Sequence, residues 1–205
     1  ACAPYRRLHL CDYNLENIND YENITNDTLL VDVCLAALHE GQSITGRYPQ
    51  HQQTNEGTSS QLCTVLARSF ADIGDIVRGK DLFIGYDKKD RAQKKIQDNL
   101  KDIFKKIYDN LGKNKEDAKG HYGGDKDFFQ LREDWWTANR HTVWEAITCN
   151  AWGNAYFRAT CGDDKENTAT RAKDKCRCTK PNADQVPTYF DYVPQYLRWF
   201  EEWAE

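Results

Sequence analysis

Methionine is missing from all 205 residues, and the chain opens Ala-Cys-Ala-Pro. It therefore reads as a piece excised from a longer polypeptide whose targeting and anchoring signals lie elsewhere. No apolar run approaches the roughly 18 to 20 residues of a membrane span, and the first ten residues lack the apolar stretch of a signal peptide. The segment is expected to make no membrane contact of its own. Excess positive charge is also missing: 28 basic against 32 acidic residues leave a net charge of -4. The global basicity of a nucleic-acid binder is thus excluded, and any anion-binding surface has to be a local patch. There is no C-x-x-C, so the paired spacing of zinc knuckles is lacking, and no G-x-S-x-G nucleophile elbow. No segment sustains the period-2 alternation of a half-buried strand, which points to a mainly α chain.

The residues present are enough for a real core, with 40% hydrophobic and 12% aromatic content. Apolar residues at helical spacing predict a helix over 28–40, with Asn26 or Asp27 as N-cap and Gly41 as stop. A second helix, 60–78, carries Leu62, Leu66, Phe70, Ile73 and Val77 and ends at Gly79. A third, 87–111, carries Ile96, Leu100, Ile103, Phe104 and Ile107. A fourth, 128–152, is apolar around most of its circumference, as expected of a helix in the middle of a bundle. A fifth opens at Pro194 and gathers Leu197, Phe200, Trp203 and Ala204 on one face. Three wide apolar faces must cover one another, so helices 60–78, 87–111 and 128–152 are expected to pack together around Trp135 or Trp136. Between them, 41–59, 112–124 and 161–188 read as long polar loops.

Eight cysteines, an even number, suggest disulfides. Cys176 and Cys178 flank one residue and should reach separate partners. Antiparallel packing of helices 60–78 and 128–152 would bring Cys63 to Cys149. That pairing leaves Cys2, Cys11 and Cys34 at one end and Cys161, Cys176 and Cys178 at the other, with Cys161 expected to bond Cys176 or Cys178.

Several strings carry weaker signals. GDIVRGKD (74–81) copies the spacing of a phosphate-binding loop but places Asp81 where a hydroxyl is needed, and it fits a helix C-terminus better. His141 and Glu145 share a helical face without a third ligand, so no metal and no catalytic residue is assigned. Asn23-Ile24-Thr25 and Asn26-Asp27-Thr28 are glycosylation sequons, although Asn26 serves equally as a cap. Two basic clusters are candidates for sulfated glycans. Lys88, Lys89, Arg91, Lys94, Lys95, Lys101, Lys105 and Lys106 lie along the third helix, where Asp90, Asp98 and Asp102 oppose them. Arg171, Lys173, Lys175, Arg177 and Lys180 crowd around Cys176 and Cys178 with only Asp174 in opposition, which makes them the sharper candidate.

The strings ACAPYRRLHLCDYNLE (1–16), LLVDVCLAALHEGQSIT (29–45), CTVLARSFADIGDIVRGKDLFIG (63–85), REDWWTANRHTVWEAITC (132–149) and VPTYFDYVPQYLRWFEEWAE (186–205) together resemble the Duffy-binding-like domain, alpha class, of the malaria parasite's variant erythrocyte membrane protein family. The resemblance implies a partial Duffy-binding-like fold: a disulfide-braced helical bundle with long polar loops. It divides the chain into 1–59, the remnant of an N-terminal subdomain with its loop; 60–155, a helical-bundle subdomain; and 156–205, the start of a C-terminal cysteine-rich helical subdomain. It further implies an adhesive ectodomain module on the infected red cell, without enzymatic activity or cofactor. Its partners would be host cell-surface receptors, protein or sulfated or blood-group glycan, and neighbouring domains of the same ectodomain. In the family, sequence precedes the ACAP stretch and a cysteine-bearing helical segment follows FEEWAE, so that one cysteine of each terminal group would have its partner outside this piece. Four cysteines between DIGDI and PQYLR resemble the commoner type of alpha domain more than the two-cysteine type associated with rosetting. A non-adhesive spacer would share every one of these helices and cysteines.

Overall fold

A computed structural model describes residues 2–18, 24–54, 61–83, 85, 92–111, 120–152, 159–162, 169–179 and 182–204. The elements, in chain order, are α1 (Tyr5–Leu8), α2 (Tyr13–Glu16), α3 (Asn26–Thr54), α4 (Gln61–Arg78), α5 (Ala92–Asp109), α6 (Phe129–Ile147), β1 (Ala159–Cys161), β2 (Thr170–Arg171), a 3-10 turn at Phe190–Tyr192 and α7 (Gln195–Ala204). The chain is mainly helical, as its periodicity predicts.

α4 forms the middle of the bundle. Its expected stripe of Leu62, Leu66, Phe70, Ile73 and Val77 is buried, and its opposite face is buried too, including Asp72, Asp75 and Arg78. Gly79, at φ 72°, ends it in a left-handed turn. There Lys80 N donates to Asp75 O at 2.8 Å and Gly79 N to Ile76 O at 3.2 Å, the paired bonds of a Schellman stop. GDIVRGKD is thus a helix end and its turn. α6 runs antiparallel to α4, since Gly79 lies against Phe129 and Arg132 at the start of α6. Phe70 packs between Trp136 and Trp144, with ring centroids 5.1 and 5.2 Å away. Trp135 meets Phe104 of α5 edge-on at 6.1 Å. Both Trp135 and Trp136 are buried, as the three covering faces require.

Three expectations are corrected. First, α3 does not stop at Gly41 but continues to Thr54, so most of the expected 41–59 loop is helix. Gly41 is a crossing point: a Cβ there would sit 2.0 Å from Ile147 O on α6. A residue without a side chain can permit close approach instead of ending a helix. Second, α3 is capped by neither Asn26 nor Asp27. Thr28 N donates to Thr25 Oγ1 at 3.2 Å, and Thr25 N donates to Thr28 Oγ1 at 2.8 Å, a reciprocal capping box. Third, the face of α7 expected to be buried is exposed, with Leu197 at 46%, Phe200 at 74% and Trp203 at 61%. The buried residues are Gln195, Arg198 and Trp199, because α7 docks on the charged face of α4. The helix expected over 87–111 is seen as 92–109, its first residues lying outside the described ones. The one expected over 128–152 ends at Ile147.

Candidate receptor-binding surface

β1 and β2 form a short antiparallel hairpin on the side of the bundle, with Ala159 opposite Arg171 and Cys161 opposite Thr170. Cys63–Cys176 and Cys161–Cys178, with Cα separations of 5.7 and 5.5 Å, fix it in place. Cys63 therefore does not bond Cys149. The antiparallel packing brings the start of α4 to the end of α6, but the turn that follows β2 lies there: Trp144 Nε1 donates to Cys176 O at 3.1 Å. Cys149, just past the end of α6, is exposed and free. Of the two alternatives for Cys161, the structure takes Cys178. Cys2, Cys11 and Cys34, also expected in bridges, are free thiols. Burial pushes Cys11 up to about 12, with the Glu40 carboxylate adding to it, and burial pushes Cys34 up to about 11.

The basic residues of the hairpin divide into separate roles. Arg171 and Lys173 are exposed on either side of buried Ala172, so they share one outward face. Lys175 places Nζ 3.4 Å from the ring centroid of Trp152. Arg177 is committed to the bundle. Its Nε donates to Thr148 Oγ1 at 2.9 Å, its Nη2 donates to Glu145 O, and its Nη1 lies 3.5 Å from the Glu145 carboxylate. Lys180 lies outside the described residues. Asp174, Lys175 and Cys176 have consecutive φ angles of 29°, 56° and 54°, a left-handed stretch beside the Cys63 bridge. His141 and Glu145 stand 3.8 Å apart in the same region, half-exposed.

On α5, Lys94 and Lys95 are exposed, while Lys88, Lys89 and Arg91 precede the described part of the helix. The acidic partners come from other elements: Lys95 faces Glu16 at 3.8 Å, and Lys101 faces Asp127 at 2.5 Å. Lys105 and Lys106 are exposed.

Between α1, α4 and α7 lies a buried charge network that sequence reasoning missed. Asp72 meets Arg6 at 2.8 Å and Arg198 at 2.7 Å, and Asp75 meets Arg198 at 2.5 Å and Arg78 at 2.9 Å. Arg7 pairs with Asp81 at 2.5 Å, and Arg140 holds Asp191, which also accepts from Trp136 Nε1 at 2.9 Å. Burial pushes the Asp72 carboxyl up, but Arg6 and Arg198 outweigh it and hold the group below its ordinary value. For Asp75 burial wins over Arg198 and Arg78, and the group rises to about 6. Among the described residues no carboxylate forms a salt bridge with Arg132, and burial pulls its pKa down to about 10, with Asp127 and Asp125 opposing from further off. Its guanidinium donates to Val77 O at 2.6 Å and Ile76 O at 3.1 Å, neutralising the C-terminal carbonyls of α4. The i, i+3 spacing of Asp72, Asp75 and Arg78 was visible in the sequence, but the same spacing marks a solvated helix face. Beside this network lies a cavity of about 290 Å³ walled by Leu82, Tyr192, Val193, Pro194 and Tyr196, with Asp75 and Arg78 at its charged side.

A helical core with a doubly bridged basic hairpin on its flank defines a disulfide-braced helical module. Its family is identified by comparison: the Duffy binding domain profile matches residues 1–198, and the chain belongs to that family. Among solved structures it is similar to the NTS-DBL1(alpha-1) domain of Plasmodium falciparum membrane protein 1 (PfEMP1) from the varO strain. The identity is 44% and the TM-score 0.77, over 100% of this chain and 43% of that one. It is also similar to a P. falciparum PfEMP1 DBLβ domain described as bound to human ICAM-1, at 33% identity and TM-score 0.69, over 98% of this chain and 39% of that one. The Duffy receptor beta form of Plasmodium knowlesi is 24% identical over 216 residues, which cover 100% of this chain and 14% of that receptor. The chain thus spans less than half the length of these relatives. Among the described residues no helix is long and apolar enough to cross a membrane.

Proposed function

We propose that the chain is part of a host-receptor-binding adhesion module of a variant surface antigen, displayed outside the infected erythrocyte and mediating cytoadherence or rosetting, with no catalytic step and no cofactor. The observation that carries this reading is its membership of the Duffy binding domain family, together with its similarity to a PfEMP1 domain solved on a human receptor. As ligand we propose a sulfated polysaccharide, and as its site the outward face of the hairpin, where Arg171 and Lys173 stand exposed. The lysines of α5 are the weaker candidates, because Lys95 and Lys101 face carboxylates. The test is binding of the folded, oxidised chain to uninfected erythrocytes, endothelial cells and a heparin column in parallel. Retention that falls with added salt supports the reading. Absence of binding to all three would favour a spacer within a larger ectodomain.

A further inference from the structure

Trp152 stands out next to this hairpin. It is 67% exposed, whereas Trp135, Trp136, Trp144 and Trp199 are buried and Trp203, 61% exposed, is tied to Cys2 O through Nε1. Its indole is held by the Lys175 ammonium, 3.4 Å from the ring centroid, well within cation–π range. Lys175 in turn is fixed by its left-handed backbone and by the adjacent Cys63–Cys176 bridge. Arg171 and Lys173 precede Lys175, Lys173 pairing with Arg177 across the turn that carries it. Three cations of one short segment, Arg171 and Lys173 exposed and Lys175 on the indole, thus accompany the exposed Trp152 side chain.

We propose that Trp152 is a sugar-stacking platform, so that the site selects a sulfated polysaccharide over other polyanions. This rests on the reading of the hairpin as a glycan site. Point cations alone attract any polyanion, because the field carries no information about the backbone that bears the charges. A pyranose offers something a phosphate or sulfonate polymer does not: a face of electropositive C–H groups that packs on the electron-rich face of an indole. The sulfates would meet Arg171 and Lys173 while a ring of the same chain lies on Trp152. Arg177, tied to Glu145 and Thr148, positions the hairpin and takes no part in contact.

The experiment compares heparin with poly(vinyl sulfonate), a sulfonated polymer without sugar rings, on wild type, Trp152→Ala, Trp152→Phe and Arg171→Glu/Lys173→Glu, at low and high salt. Trp152→Ala should weaken heparin binding about fivefold to tenfold at both salt concentrations, leave poly(vinyl sulfonate) binding unchanged, and be largely rescued by Trp152→Phe. The charge reversal should weaken both probes, with the effect shrinking as salt rises. A Trp152→Ala chain that binds heparin like wild type, or loses both probes equally, overturns the platform while leaving the basic site standing. A wild type that binds neither probe overturns the glycan reading and the platform together.

Discussion

Replacing Gly41 by alanine tests the packing of the bundle at its tightest point. On an isolated helix the change would stabilise by about 1 kcal/mol, because alanine loses less backbone entropy. Here the new methyl would lie 2.0 Å from Ile147 O and 2.8 Å from Ile147 C, both backbone atoms that cannot rotate away. Reaching even 3.0 Å requires α3 and α6 to separate by about 1 Å, which loosens the packing of two helices whose Val33, Ala36 and Ala37, and Val143, Trp144 and Ile147, are all buried. Overpacking of this kind costs about 1 to 3 kcal/mol in side-chain cores, and a backbone clash belongs at the upper end. We expect a net loss of about 2 to 3 kcal/mol, or a drop of about 4 to 12 °C in Tm for a chain of this size. Gly46 supplies the control, since it is in the same helix with nothing within 4 Å of its would-be Cβ. Gly46→Ala should raise Tm by about 1 to 4 °C. Thermal unfolding followed by circular dichroism reads both. Equal stabilisation by the two substitutions would refute the close crossing.

The bridges predict that Cys176→Ala lowers stability by about 4 to 5 kcal/mol in the chain-entropy model, whereas Cys149→Ser stays within about 0.5 kcal/mol. Non-reducing peptide mapping should recover Cys63 with Cys176, and recovery of a Cys63–Cys149 peptide would overturn the pairing. At pH 8, iodoacetamide should modify exposed Cys2 and Cys149 well before Cys11 and Cys34, whose pKa values of about 12 and 11 leave almost no thiolate; early alkylation of Cys11 would contradict its contact with Glu40. The two aspartates of α4 should differ. Asp72→Asn leaves Arg6 and Arg198 short of a buried partner and should cost about 3 to 5 kcal/mol at pH 7. Asp75, raised from 3.8 to about 6, is most favourable when protonated, so wild type should lose stability relative to Asp75→Asn as pH rises from about 4 to 6. Urea midpoints across that range decide it, and equal losses at pH 7 for the two variants would sink the distinction.

Periodicity made the helices legible because apolar spacing is local information. α4 and its Gly79 stop stand where Leu62, Leu66, Phe70, Ile73 and Val77 put them, and the breadth of apolar surface around Trp135 and Trp136 placed α6 in the core. What could not be read is whatever depends on a partner distant in sequence. Gly41 looks identical whether it ends a helix or admits another backbone. Asp72, Asp75 and Arg78 look like a solvated strip until Arg6 and Arg198 arrive from the two ends of the chain. α7 was expected to bury Leu197 and Phe200, but the charged face of α4 takes Arg198 instead. The basic cluster at 171–177 was visible as composition, yet only coordinates separate outward Arg171 from structural Arg177 and bring Trp152 beside Lys175.

The meeting of the two ends has a mechanical consequence. Trp203 Nε1 donates to Cys2 O at 3.0 Å, and Glu202 grips Arg6 at 2.8 Å, so residues 2 and 203 lie side by side. A pull applied between them does not stretch the bundle from end to end. It first peels α7 and the N-terminal stretch apart, and the resisting elements are Arg6, Arg198 and Asp72, three charges sharing one buried site. The helices α3, α5 and α6 lie outside that load path, and α4 enters it through Asp72. Pulled apart between residues 2 and 203, this contact would part at its clasp while the hairpin face kept its shape.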